Sequence, residues 1–525
     1  MSDLAVISSV ADAKAQRQPN RLRLRRGVAV LVGSEGCTLI DRGTGLRLAL
    51  GASAAAVLHA LPKCLSQRHL DDTVQAFLNR LSALGLFEPT SLDEAIRVQG
   101  KYVLQQAWND EAARVHDTVE RAVRSTKLHR QHLGATLEAN AEWQLEHLPL
   151  LKKVDMRRHF PLGLTTDGLD LKALLGTRDL VLAATSGTTG QRLQVYSDTR
   201  IPRLPPDTLA FWRLSNVPTH RPVRAAIFTS PNCSGTTCSS QLNVKDRLSF
   251  KHTLFLPSPR NPFRMRDEEV RRILGEMHEF LADFWLVNPV YLAALADRAA
   301  ECGCPFPPVA AILYSYQYLS HCQRRALERH FTAPLFGMYS ATELGGSQIG
   351  VGCPEGKLHV RLDQVFVELL AGGMPVVGGE LGSVTVTSHN PTMPLVRYAL
   401  GDLARMTVAP CACDVGSAWP SLVLEGRQRD AFIVAERLIT TKNVDDALQN
   451  IPLAMYQLSE TAPGCYRLDA IPEKAALSGW PAAAEAALSS LLLPESLVVE
   501  EVKELHLDDS QKFRFTSPLP RADPT

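Results

Sequence analysis

The stretch that most constrains this 525-residue chain is Ala184-Thr185-Ser186-Gly187-Thr188-Thr189-Gly190, which comes directly after the apolar run Asp179-Leu180-Val181-Leu182-Ala183. Seven small residues there carry four hydroxyls and two glycines. Glycine lets successive backbone N–H groups turn toward one ligand, and the hydroxyls add donors, so a strand leading into this loop makes a cradle suited to polyphosphate. It is not a Walker loop, because no Gly-Lys-Ser/Thr closes it. A plain Ser/Thr/Gly linker has the same composition, so the residues toward the C-terminus decide between the two.

The length predicts roughly three domains. Apolar residues make up 45% and charged residues 21% of the chain, as in a globular protein with a large buried core. A net charge of +1 argues against nucleic acid or an anionic membrane as partner. Apolar runs stop well short of the ~18 residues a bilayer span needs. The start Met-Ser-Asp-Leu-Ala lacks a basic-then-apolar signal pattern, so a cytoplasmic location is expected. Most of the eleven cysteines are then expected to be reduced, except any at metal-ligand spacing. Oligomeric state is not legible from the sequence.

Residues 1–20 are polar and expected to form a disordered arm. Strand-like runs at 28–33, 37–42 and 46–50 are separated by Gly33-Ser34-Glu35-Gly36 and Arg42-Gly43-Thr44-Gly45, and helical patterns come next at 52–61 and 70–84. Three small strands with two helices predict a winged-helix-like module over 21–90. With its hairpin, its small-residue helix start Gly51-Ala52-Ser53-Ala54-Ala55-Ala56 and its close at Leu84-Gly85-Leu86, it resembles the PqqD-like peptide-recognition domains of enzymes that modify ribosomally made peptides. That resemblance implies a leader peptide bound as an added strand. The basic run Arg21, Arg23, Arg25 and Arg26 reads as a solvated strand edge rather than a DNA-binding face. Residues 91–150 read as long amphipathic helices, and strands alternate with helices from about 151 to 425. The domain expectation is a large unit over 91–426 and a small α+β tail over 427–525.

Three further pieces occur in order along the chain. Tyr339-Ser340-Ala341-Thr342-Glu343 places an aromatic ring, a hydroxyl and a carboxylate together after a strand. Arg397-Tyr398-Ala399-Leu400-Gly401-Asp402-Leu403 offers a carboxylate suited to ribose hydroxyls. Leu424-Glu425-Gly426-Arg427-Gln428-Arg429-Asp430 is a polar joint where the tail begins. In this order the pieces resemble the adenylate-forming superfamily, over about residues 145–515. The phenylacetate–CoA ligase branch fits best, with its lead-in matched by 148–161 and its acid-pocket region by 287–292. The resemblance implies an α/β fold: a large multi-sheet adenylation domain and a small mobile α+β C-terminal domain, here preceded by the winged-helix-like module.

By that resemblance Thr185, Ser186, Gly187, Thr188, Thr189 and Gly190 hold the ATP phosphates. Tyr339 stacks on adenine, Thr342 touches the α-phosphate, Glu343 binds Mg²⁺, Asp402 holds the ribose and Arg427 assists from the hinge. Lys512, in Ser510-Gln511-Lys512-Phe513-Arg514, corresponds to the tail lysine that stabilises transition-state charge, and its approach implies rotation of the tail about 427–430. Cys353, His359, Cys411 and Cys413 make a Cys₃His set, the donor complement of a closed structural Zn²⁺ site, and the same branch often carries such residues at these places. Cys233 and Cys238 read as pocket lining, and His321 as a surface helix residue.

Several positions depart from the family pattern. Tyr316-Gln317 stands where the family has Gly-Glu, and Arg429 stands where the hinge acid usually falls. Glu436 stands where a glycine lines the path of coenzyme A's pantetheine arm, so use of CoA stays open. Together these residues read as an ATP-dependent ligase that adenylates a small carboxylic acid or a peptide carboxylate, in modification of a ribosomal precursor peptide recruited by the N-terminal module. The alternatives are a stand-alone aryl- or acyl-CoA ligase, and a non-catalytic scaffold that binds peptide and nucleotide.

Overall fold

In the computed structural model, residues 5–6, 28–33, 36–41 and 47–51 are described as backbone strands. Residues 111–139, 143–185 and 193–520 are described apart from gaps at 205–207, 219–220, 232–241, 250–251, 377–378, 408–410, 414–418, 475–478 and 509–511. Contacts divide the chain into two units, Met1–Trp108 and Asn109–Thr525.

In the first unit, the two-residue connection at 34–35 sets Val28–Gly33 against Gly36–Asp41, with Val28 opposite Asp41 and Gly33 opposite Gly36. Arg47–Gly51 pairs antiparallel on the far side. Ala5–Val6 adds a fourth strand, with Ala5 opposite Val32, so the expected disordered arm does not include these two residues. The helices expected at 52–61 and 70–84 and the basic run at 21–26 lie outside the described residues.

The second unit is built on a thirteen-stranded sheet. Its parallel half runs in the order Thr253–Phe255, Ala225–Phe228, Phe284–Val287, Ala311–Tyr314, Leu335–Ser340. These strands are short continuous apolar runs (Phe-Trp-Leu-Val, Ala-Ile-Leu-Tyr), as expected where both faces are covered. Helices Asp267–Phe280, Pro289–Glu301 and His321–His330 make the crossovers. Asp267–Phe280 shows why such segments are helical. Three acidic residues open it, Glu269 accepts the Arg266 N–H at 3.0 Å, and Val270, Ile273, Leu274 and Met277 form one buried stripe. Beyond Leu335–Ser340 the sheet turns antiparallel through Gln348–Gly352, Leu358–Val360, Ser421–Arg427, Leu395–Thr407, Gly382–Ser388 and Val365–Ala371.

Arg397, on Leu395–Thr407, docks the segment that leads into this sheet. Its guanidinium is 2% exposed, donates from Nε to Glu368 Oε2 at 3.1 Å, and also bonds the carbonyls of Glu146 and Leu148. Leu151 then pairs with Tyr398 as an isolated bridge, which fixes where the helix Lys153–His159 begins.

The C-terminal lobe is a four-stranded sheet in the order Ser496–Glu501, Cys465–Pro472, Leu453–Ala462, Thr516–Ser517, with helices Thr441–Leu448 and Trp480–Leu492. Its core is continuous with that of the parallel half, one buried cluster running from Ala226 to Phe515. Polar anchors reinforce this contact. Arg325 reaches from His321–His330 to the carbonyls of Gln449 at 2.6 Å, Ile451 at 3.0 Å and Leu453 at 3.2 Å. Asp445 of the lobe is buried and takes hydrogen bonds from the His321 N–H at 2.9 Å, Tyr318 at 3.2 Å and Tyr456 at 3.0 Å. His321 stands partly exposed at the start of helix His321–His330, as its polar sequence context predicts, and its ring also bonds Asp446 at 3.0 Å. Among the described residues no helix is long and apolar enough to cross a membrane.

A buried histidine ties helix Lys127–Ala139 to the sheet. His129 Nε2 accepts the Val396 N–H at 3.2 Å, and burial, aided by the charges of His132 and His159, holds its imidazole down to about 3 from the ordinary 6.5. Protons therefore bind the unfolded chain first. The stability held by neutral His129 is complete above its unfolded pKa and is lost as pH falls toward 3, at about 1.4 kcal/mol per pH unit. Urea unfolding between pH 7 and 5 should show this loss, and His129→Gln should make the dependence shallower.

Candidate active site

The C-terminal ends of the parallel strands and the beginning of the lobe enclose a cavity of about 490 Å³. Tyr316, Tyr339, Asp402, Arg427, Arg429 and Lys512 are among its walls. Tyr339 arrives on Leu335–Ser340, Asp402 on Leu395–Thr407, and Arg427 at the end of Ser421–Arg427, directly opposite Asp402 in the ladder. Lys512 comes from the lobe. Residues distant in sequence thus converge because three strands of one sheet carry them to one cavity, with the lobe packed over it.

The polar contacts are specific. Tyr339 donates its hydroxyl to Asp402 Oδ2 at 2.7 Å, and Arg427 Nε lies 3.0 Å from Asp402 Oδ1. Burial and the Asp402 charge raise the Tyr339 phenol well above its usual range, so it is a donor at neutral pH. The Asp402 carboxylate raises Arg427 above its usual value. At the hinge, burial raises Asp430 although Arg514 pairs with it at 2.6 Å. Gly426 has φ +112, and a Cβ there would meet the Thr441 Cβ at 2.7 Å, so only glycine lets the hinge strand approach the lobe helix this closely.

A second cluster forms around Glu343. Lys153 Nζ lies 3.2 Å from Glu343 Oε1 and donates to Thr185 Oγ1 at 3.1 Å, while Thr185 Oγ1 accepts the Leu193 N–H at 3.0 Å. Tyr398, four residues before Asp402, is hydrogen-bonded to Glu343, and its phenol is raised by burial and that carboxylate. Nothing in the sequence distinguishes Lys153, which is one of two adjacent lysines. Its role comes from the docking of Leu151 on Tyr398, a pairing no local pattern announces. Thr342 lies exposed on the 3₁₀ turn Thr342–Leu344. Thr185 ends the Leu180–Ala184 strand as expected, whereas Ser186, Gly187, Thr188, Thr189, Gly190, Cys233 and Cys238 lie outside the described residues.

The four metal-ligand candidates do come together. Cys353, His359, Cys411 and Cys413 have donor atoms all within 4.8 Å of one another. Cys353 Sγ is 3.8 Å from Cys411 Sγ, and Cys413 Sγ is 3.3 Å from His359 Nε2. His359 Nδ1 bonds the Trp419 carbonyl at 2.9 Å, which turns Nε2 toward the thiols. Hydrogen bonds from Cys413 and then His359 hold the Cys353 thiol down to about 3. Gly356, Lys357 and Leu358, between Cys353 and His359, line the cavity described above.

Two of the positions at which the sequence departs from the resemblance share a backbone feature. Tyr316 has φ +73 and Glu436 has φ +63, both in the left-handed region that favours glycine. The backbone thus keeps the shape of the glycine expected at each place while carrying a large side chain, at a cost of roughly 1–2 kcal/mol each.

Among solved structures, the chain is similar to a 2-hydroxyisobutyryl-CoA ligase in the postadenylation state with R3-HIB-AMP. The TM-score is 0.57 at 16% identity, over 77% of this chain and 88% of that one. The chain has the adenylate-forming fold. An open conformation of the same ligase, in complex with 2-HIB-AMP and CoA, gives a TM-score of 0.50 at 15% identity over 78% and 91% of the two chains. No family model and no curated protein sequence matches this chain.

Tyr339→Phe removes the bond to Asp402 without changing the packed ring, so thermal unfolding should show a loss of about 1 kcal/mol.

Proposed function

We propose that this protein is an ATP-dependent ligase that joins a carboxylic acid to AMP and passes the acyl group to an acceptor. The observation that carries the reading is the meeting of Tyr339, Asp402, Arg427 and Lys512 at one cavity of about 490 Å³ in an adenylate-forming fold. Asp402 takes the ribose hydroxyls, with Arg427 and Tyr339 holding its carboxylate in place. The phosphates run toward Thr185 and the loop 186–190, with Thr342 beside the α-phosphate. The substrate carboxylate attacks the α-phosphorus; its new O–P bond forms as the bond to pyrophosphate breaks, and pyrophosphate leaves with the electron pair. Charge builds on the phosphoryl oxygens, and Lys512 supplies compensating charge where it develops. Lys512 stands at the cavity in this structure, so adenylation requires no rotation of the lobe to bring it there.

Glu343, partly buried and already paired with the Lys153 ammonium, is a carboxylate placed to hold a cation, and Mg²⁺ there would neutralise the polyphosphate. The Cys₃His cluster fits a closed structural zinc. Two thiolates about 2.3 Å from one tetrahedral ion stand roughly 3.8 Å apart, which is the Cys353–Cys411 spacing. Such an ion would staple the turn 354–358 of the cavity wall to the segment after Asp402.

The N-terminal antiparallel sheet supports recruitment of a ribosomally made precursor peptide as an added strand. That peptide supplies either the carboxylate or the acyl acceptor. Glu436, at a glycine-like φ where the resemblance places the pantetheine-path glycine, supports an acceptor other than CoA.

Carboxylate-driven exchange of labelled pyrophosphate into ATP, with small acids and precursor peptides as drivers, tests the reading. Lys512→Ala should lower exchange roughly a hundredfold or more, and no exchange with any driver would overturn adenylation. Metal analysis should find one zinc per chain, lost together with thermal stability in Cys411→Ser/Cys413→Ser.

A further inference from the structure

Lys512 lies on a lobe whose packing against the large sheet decides where the ammonium stands. Its backbone is tied to Asp508 at both polar groups: the Lys512 N–H donates to Asp508 Oδ1 at 2.9 Å, and the Asp508 N–H donates to the Lys512 carbonyl at 2.8 Å. The neighbouring Phe513 is buried and packs edge-on against Phe263 of the large sheet's side, with ring centroids 5.6 Å apart. Arg514 bonds Asp430 at the hinge. Two contacts join this segment to side chains at the cavity, the Arg514 bond to Asp430 and one from Gln317. Gln317 Nε2 donates to the Phe513 carbonyl at 2.7 Å, and Gln317 itself lines the same cavity.

The direction of that bond is set by a chain of partners. Asn288 Oδ1 accepts the Val290 N–H at 3.0 Å, capping the helix Pro289–Glu301. With its oxygen so used, Asn288 presents Nδ2 to Gln317 Oε1 at 2.7 Å. Gln317 must then present its own NH₂ to the lobe. Asn288 is buried, its backbone N–H is bound to the Phe228 carbonyl, and no alternative amide orientation satisfies all three contacts. A helix N-terminus in the large sheet thus specifies, through two side-chain amides, a donor aimed at the residue beside Lys512. A glutamate, which the resemblance places at 317, has no proton to donate and would set a carboxylate oxygen against the Phe513 carbonyl.

We propose that Gln317 is a positioning residue whose amide, aligned by Asn288, seats the 512–514 segment so that Lys512 faces the nucleotide cavity. The proposal rests on the adenylation reading of that cavity. It makes Gln317 act through the lysine and not through the nucleotide.

The test needs no knowledge of the acid. The full-length protein is treated with Mg²⁺ and an acyl-phosphate derivative of ATP, which acylates a lysine amine near the phosphates and releases ATP; labelled peptides are then quantified by mass spectrometry. Titration with a fluorescent ATP analogue gives nucleotide affinity separately. Gln317→Glu keeps the size and the bond from Asn288 but removes the donor. It should slow Lys512 labelling at saturating nucleotide about tenfold or more, beyond what any change in the nucleotide dissociation constant accounts for. Gln317→Met, which adds no charge, should slow labelling in the same way and serves if the glutamate variant does not fold. Labelling of Lys512 at the wild-type rate in both variants, or a fall fully accounted for by weaker nucleotide binding, overturns the role of Gln317 alone. A wild-type protein that binds the analogue but is never labelled at Lys512 overturns the placement of the lysine, and this inference with it.

Discussion

The buried Arg397 guanidinium is the interaction on which the site depends. It pairs with Glu368 within the antiparallel half of the sheet, and its Nη1 also bonds the carbonyls of Glu146 and Leu148. A buried charge is tolerated only when such partners surround it, and removing one partner of a buried pair typically costs about 3–5 kcal/mol. The geometric consequence reaches further. With 146–148 fixed, Leu151 pairs with Tyr398, the next helix begins at Lys153, and the Lys153 ammonium meets both Thr185 and Glu343. The same strand carries Asp402 five residues on from Arg397. One buried cation therefore sets the spacing between the Lys153–Glu343 cluster and Asp402.

The lobe adds a second constraint. Its apolar core is continuous with that of the parallel strands, and the segment 317–325 supplies four polar anchors to it: Gln317, Tyr318, the His321 N–H and Arg325. Burial makes each anchor directional, since a buried donor or acceptor left unpaired costs more than the bond itself contributes. The lobe is consequently held in one orientation in this structure, the one that brings Lys512 to the cavity. Asp445 shows the energetic tension of such a joint: burial raises its carboxyl although three donors point at it.

Much of this was legible in the residue string. The short apolar runs at 225–228 and 284–287, the acid-opened helix at 267–280 and the small residues after 184 announce elements through local propensity and periodicity. Tyr339, Asp402, Arg427 and Lys512 were legible as an ordered set, and Cys353, His359, Cys411 and Cys413 by donor type. What remained hidden has a common cause. Lys153 looks like any surface lysine, His321 like any polar helix residue, and Gln317 like a mere departure from a pattern. Each takes its role from a partner far away in sequence, as Gln317 does from Phe513 and His321 from Asp445.

By itself the chain determined the alternation of strand and helix, the glycine and hydroxyl chemistry after 184, and the donor types that gather at the cavity and in the Cys₃His cluster, because these depend on backbone sterics and on side-chain chemistry a few residues apart. Tertiary structure alone decided that a tyrosine and a glutamate occupy backbone shaped for glycine at 316 and 436, that Asp402 is engaged by both Tyr339 and Arg427, and that an amide at 317 reaches the segment holding Lys512. Those outcomes depend on which buried groups find partners across the fold, and burial is a property of the whole packed chain.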